Sequence, residues 1–124
     1  MLRSARADGY ADPVQVLAIE RAVPGVPDGA FTTALLRAEA EHLWELHQAG
    51  VVRQPFFRTD RHEAVLLLEV IGPEAARAAL DGLPLVSAGL IDFEIVPLRA
   101  YPGFARLFGD AGPTIVPPIV PPPS

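Results

Sequence analysis

Leu83-Pro-Leu-Val-Ser-Ala-Gly89-Leu-Ile-Asp-Phe-Glu-Ile-Val-Pro97-Leu-Arg-Ala-Tyr-Pro-Gly-Phe-Ala-Arg-Leu-Phe108 carries the chain from the end of a helix into the last strand of a sheet. Ile91, Phe93 and Ile95 alternate with Asp92 and Glu94, the period-two pattern of a strand with one buried face. Gly89 breaks the chain before it, and Pro97, which lacks an N–H, stops it. Working outward, Gly72-Pro73-Glu74 opens a helix whose apolar stripe is Ala76, Leu80 and Leu83, with Pro73 suited to its first turn. Residues 64–70 and 51–58 read as strands joined by the polar hairpin Thr59-Asp60-Arg61-His62-Glu63. From about Thr33 to Ala49, Leu36, Ala40, Leu43 and Leu46 or His47 recur at helical spacing. Thr32 or Thr33 is the candidate N-cap and Gly50 the stop. Residues 14–20, rich in β-branched side chains, form a first strand that Pro24, Gly25, Pro27 and Gly29 end. The order is βαββαβ, the split βαβ pattern of a ferredoxin-like α+β fold. Tyr101 to Phe108 follows as a short helical or coiled arm.

A chain of 124 residues fits one domain. The expected division is an N-terminal extension over residues 1–13, a domain over 14–108 and a Pro-rich tail over 109–124. A net charge of −5 offers phosphates no cationic surface, so nucleic acid is not an expected partner. With no cysteine, disulfides and thiolate metal sites are excluded, and His42, His47 and His62 are the only imidazoles. Asp60-Arg61-His62-Glu63 could be drawn as a metal cluster, but a hairpin tip with one histidine reads as solvated, and no metal is expected. No apolar run is long enough to span a bilayer, which makes the cytoplasm the expected location.

A four-stranded antiparallel sheet with two helices on one face leaves the other face bare. Val16 and Ala18, Leu67 or Leu66, and Phe93 or Val96 are the residues expected there, so a sheet-to-sheet homodimer, or a higher oligomer, is expected. The tail holds a tandem repeat, Ile115-Val-Pro-Pro and Ile119-Val-Pro-Pro, whose proline density favours polyproline II. Pro118-x-x-Pro121 formally fits a PxxP ligand. The tail is either a stiff extension without a partner or a segment docked through Ile115 to Val120 on a neighbouring subunit.

Candidate chemistry centres on the first helix. Glu39 and His42 share a face at i,i+3, as do His42 and Glu45, an arrangement that suits either proton shuttling or a solvated, paired surface. Arg53, taken with Val51 and Pro55 on one face of the second strand, either anchors an anion or pairs with Glu69 or Glu94. Glu69 interrupts an apolar strand, where an unpaired carboxylate would have a raised pKa. Trp44, Phe56 and Tyr101 are the aromatic candidates for a pocket wall, with core packing the alternative for Trp44 and an interface anchor the alternative for Tyr101. Phe56 and Phe57 point to opposite faces. No phosphate loop, His-Glu-x-x-His or Gly-x-Ser-x-Gly occurs.

The Leu83-Pro-Leu opening, the Gly89 break, the alternation over Ile91 to Ile95 and the stop at Pro97 resemble the C-terminal third of the muconolactone isomerase family. Gly50-Val51-Val52-Arg53 matches that family's Gly-x-x-Arg turn, and Glu39 and Glu41 match its acidic cluster on the first helix. The family's lysine on that helix has no counterpart, since the chain contains no lysine. The resemblance implies a dimeric α+β barrel and a small isomerase-like enzyme without a cofactor. It would move a proton on a hydrophobic lactone, enol or polyketide-like molecule. Glu39 or His42 would be acid/base, Arg53 would hold the anion, and Trp44, Phe56, Glu69 and Tyr101 would contact substrate. The alternatives are a cofactor-independent monooxygenase on the same barrel and a non-catalytic binding or assembly module using the Pro-rich tail.

Overall fold

The structure, a computed structural model, describes residues 12–109. The extension over 1–11 and the tail over 110–124, with its polyproline II reading, PxxP match and proposed docking, lie outside the described residues. β1 (Val14–Ala22), β2 (Val52–Phe57), β3 (Ala64–Val70) and β4 (Ile91–Pro97) form one sheet in the order β2-β3-β1-β4. Every neighbouring pair is antiparallel. α1 (Thr33–Gln48) links β1 to β2, and α2 (Pro73–Asp81) with the short α3 (Pro84–Ser87) links β3 to β4. This α+β architecture is consistent with a ferredoxin-like fold.

Strand parity sorts the side chains. On one face lie Val16, Ala18 and Glu20 of β1, Leu66 and Leu68 of β3, Ile91 and Phe93 of β4 and Val52 of β2, registered as Val16 with Leu68, Ala18 with Leu66, Glu20 with Phe93 and Val52 with Leu68. Val16, Ala18, Val52 and Leu68 are fully buried there beneath the helices; α2 and α3 contribute Ala76, Leu80 and Leu85, with Leu83 between them, and α1 packs against β2. The sequence places Val16 and Ala18 on the bare face, with Leu67 or Leu66 and Phe93 or Val96; the structure puts Val16, Ala18, Leu66 and Phe93 on the covered face and Leu67 and Val96 on the bare one. The sequence pattern fixes which residues of a strand share a face, but both faces of β1 and β3 are apolar, so only the helices show which one is inside. The bare face instead carries the row Leu67, Leu17 and Val96 across three strands, with Val65 and Ile19 beside it, all half-buried. Ion pairs flank this strip: Arg21 with Glu94, and Arg53 with Glu69 at 3.9 Å.

The helix ends follow from backbone chemistry. Thr32 Oγ1 accepts the Leu35 N–H at 3.2 Å, filling one of the unpaired donors of the first turn of α1. Gly89, at φ +77°, turns the chain from α3 into β4 through a conformation that a β-carbon would strain. A short 3₁₀ segment (Pro102–Leu107) follows β4. No helix among the described residues is long and apolar enough to cross a membrane.

The two main helices differ in what lies beneath them. α2 buries Ala76 and Leu80 completely, whereas α1 buries none of its residues, and Leu36, the first member of its apolar stripe, is 46% exposed. The stripe of α1 has two tasks: Leu36, Ala40 and Leu43 roof a cavity, while Leu35, Leu43 and Leu46 pack against the edge of the core.

Candidate active site

That cavity lies between α1 and the helix-facing side of the sheet, with a volume of about 700 Å³, within the range of small-molecule sites. α1 supplies Leu36, Glu39, Ala40 and Leu43. The sheet supplies Glu20, Leu66 and Phe93, the β2–β3 hairpin His62 and Glu63, and the start of α3 Leu85. Phe56 and Phe57 stand at the mouth; both are just over half exposed because they end the edge strand β2.

Glu39 is the sequence candidate that the fold delivers to this space. Its Oε1 accepts the Leu85 N–H at 2.8 Å. That N–H belongs to the first turn of α3, where backbone donors have no intrahelical acceptor. Burial pushes the Glu39 carboxyl above its ordinary range, while the Leu85 N–H and the nearby His42 act in the opposite direction.

Glu20 is the second acid in the cavity. It follows Val16 and Ala18 on the covered face of β1, and its Oε1 accepts the Ala64 N–H at 2.8 Å. Burial raises its pKa, the Ala64 hydrogen bond opposes the rise, and the charges of Glu63 and Glu39 add to it. Neither Glu20 nor Glu39 has an ion-pair partner among the described residues. Glu63 lies at the end of the hairpin with its side chain 14% exposed; Arg58 approaches it at 3.6 Å and Arg61 at 3.9 Å. Its Oε1 is buried without a hydrogen-bond partner among the described residues. His62 stacks edge-on against Phe57, with ring centroids 4.6 Å apart.

Sequence reasoning missed Glu20, His62 and Glu63. The polar composition of the hairpin suggests a solvated tip, and Glu20 marks the end of a strand. The available signal was parity: an acid two residues beyond Ala18 must share the face of Val16 and Ala18.

The remaining sequence candidates are placed elsewhere. His42 does not line the cavity; its ring sits against Gly82 at the end of α2. Arg53 lies with His47 and Gln48 in a separate shallow pocket and pairs with Glu69 on the bare face. A register shift between Val52 and Gln54 interrupts the alternation that would have set Arg53 beside Pro55: Pro55 registers with Leu66 on the covered face, while Arg53 reaches the opposite side. Trp44 is 58% exposed, neither in the core nor in the cavity, with its ring 5.8 Å from that of His47. His47 itself donates its Nδ1–H to Val52 O at 2.8 Å, tying α1 to β2. Tyr101 packs edge-on against Phe104 and lies so close over Gly103 that a β-carbon there would meet its ring. Of the sequence candidates, Glu39 and Phe56 line the cavity, Phe56 at its rim on the edge strand and in register with Val65 of the bare face, while Arg53, Glu69, Trp44 and Tyr101 do not line it. No group of three or more His, Asp or Glu among the described residues is arranged to hold a metal ion.

No family model matches the chain, and no curated protein matches it.

Proposed function

We propose that the protein is a small enzyme, resembling muconolactone isomerase, that works without a cofactor and moves a proton on a hydrophobic, oxygenated small molecule such as a lactone, an enol or a polyketide-like ring. The observation that carries this reading is Glu39, a carboxylate with a raised pKa in the wall of an apolar cavity large enough for such a molecule. An ionised Glu39 takes a proton from a carbon beside a carbonyl, and the resulting acid returns it to another carbon of the conjugated system. The enolate formed in between needs a hydrogen-bond donor. Arg53 lies outside the cavity, so this role falls to the ring N–H of His62, which lines it. A monooxygenase acting without a cofactor would use the same apolar space, and oxygen consumption during turnover distinguishes it.

A thermal-shift screen of lactones, enols and polyketide-like rings tests the reading. Ligands that raise the melting temperature of the native chain are expected to lose that effect in Ala40→Trp, where an indole occupies the cavity. Ligands that stabilise both proteins equally bind elsewhere and refute it.

The same reading pairs two copies through their bare sheet faces, as in a dimeric α+β barrel. The strip of Leu17, Ile19, Val65, Leu67 and Val96 supports it, together with the exposed Tyr101, Phe104, Leu107 and Phe108 of the segment after β4. Sedimentation velocity at micromolar concentration should show a dimer; a dominant monomer overturns the pairing.

A further inference from the structure

We infer that the cavity selects uncharged apolar molecules and rejects their anionic analogues, with Glu20 as the residue that sets the selectivity. This deepens the proposed function and rests on the cavity being the working site.

Charge balance in a half-open, largely apolar cavity sets the preference. Glu20, Asp28, Glu39 and Glu63 line the cavity, and His62 is the only basic side chain among the described residues that do. The chain has no lysine. Its arginines near the site are turned to other partners: Arg58 holds Asp60 through two hydrogen bonds and approaches Glu63, and Arg53 pairs with Glu69 on the far face. The hairpin acid Glu63 is thus approached by Arg58 and Arg61, whereas Glu20 and Glu39 have backbone N–H donors and no arginine, with the His62 and His42 imidazoles nearby. An anionic ligand would enter with no arginine or lysine to meet it and two carboxylates without a salt bridge among the described residues to repel it. Of two analogues on one skeleton, the uncharged one is favoured over the anion.

Two fluorescent probes of one skeleton make the test. N-phenyl-1-naphthylamine is neutral, and its 8-sulfonate carries a permanent negative charge. Titrated at pH 8 into the native chain, the neutral probe is expected to bind at least about tenfold more tightly than the sulfonate. Glu20→Gln, which keeps an oxygen to accept the Ala64 N–H, should narrow that gap by strengthening sulfonate binding. Ala40→Trp, with Leu36→Trp as a second blocking variant, should abolish the neutral probe's signal and so locate it in the cavity. Equal affinities for both probes, both lost on blocking, would overturn the selectivity and leave the cavity intact as the site. Signals indifferent to both blocking variants would overturn the selectivity and the site together. The native comparison does not depend on Glu20→Gln folding, so a misfolded variant leaves the proposal open to refutation.

Discussion

Glu39→Gln is expected to lower the turnover of any substrate found by the cavity screen by about 10²–10⁴-fold, the usual contribution of a positioned general acid or base. Glutamine keeps an oxygen for the Leu85 N–H, so the link between α1 and α3 survives and the melting temperature should change little. The loss should fall on kcat, with KM nearly unchanged, because the amide fills the same volume and lacks only the basic form. The pH profile provides a second readout. A base must be ionised, and burial holds Glu39 above the ordinary carboxylate range, so the acidic limb of the rate profile should lie at higher pH than a free glutamate would give. His42→Ala should cost far less, since its ring rests against Gly82 and not in the cavity wall. Full activity in Glu39→Gln removes Glu39 from the chemistry.

Leu80→Ala is expected to destabilise the fold by about 3 kcal/mol, within the range for truncating a buried leucine. In a domain of this size that corresponds to a fall in melting temperature of roughly 12–24 °C. Leu80 is fully buried on α2 against the sheet, where the atoms removed would leave a void. Leu36→Ala is the instructive companion. Leu36 occupies an equivalent apolar position on α1 but faces the open cavity and is 46% exposed. Its truncation enlarges a space that already exists, so a loss below about 1 kcal/mol is expected. Equal losses measured by denaturant unfolding would mean that Leu36 rests on a packed core, and that the cavity is closed in solution.

Much of the secondary structure was legible because its signals are local. Thr32 or Thr33 ahead of a helical stripe marks the start of α1, with Thr32 proving to be the cap, and Gly72-Pro73 marks the start of α2. Residues 64–70 were read as a strand with the bounds that β3 has, and the alternation from Ile91 to Ile95 marked β4. The short α3 went unread because four residues give no periodicity, yet its Leu85 N–H is what holds the Glu39 carboxylate. The site was legible only in part. Glu39 was singled out from its neighbours on the helix, but its proposed partner Arg53 is on the other side of the sheet, because one extra residue in β2 breaks the alternation on which that assignment relied.

From the order of residues alone came the four strands, the two main helices, the absence of lysine and thiol, and the acid-rich face of α1. Each depends on contacts within a few residues or on composition, which the chain carries before it folds. Tertiary structure alone decided which face of the sheet is covered and which side Arg53 reaches. It also decided that the stripe of α1 lines a cavity in which Glu20, Glu39 and Glu63 meet. Hydrophobic spacing records that a surface avoids water; whether a packed core or an open pocket answers it depends on how far the neighbouring elements stand apart.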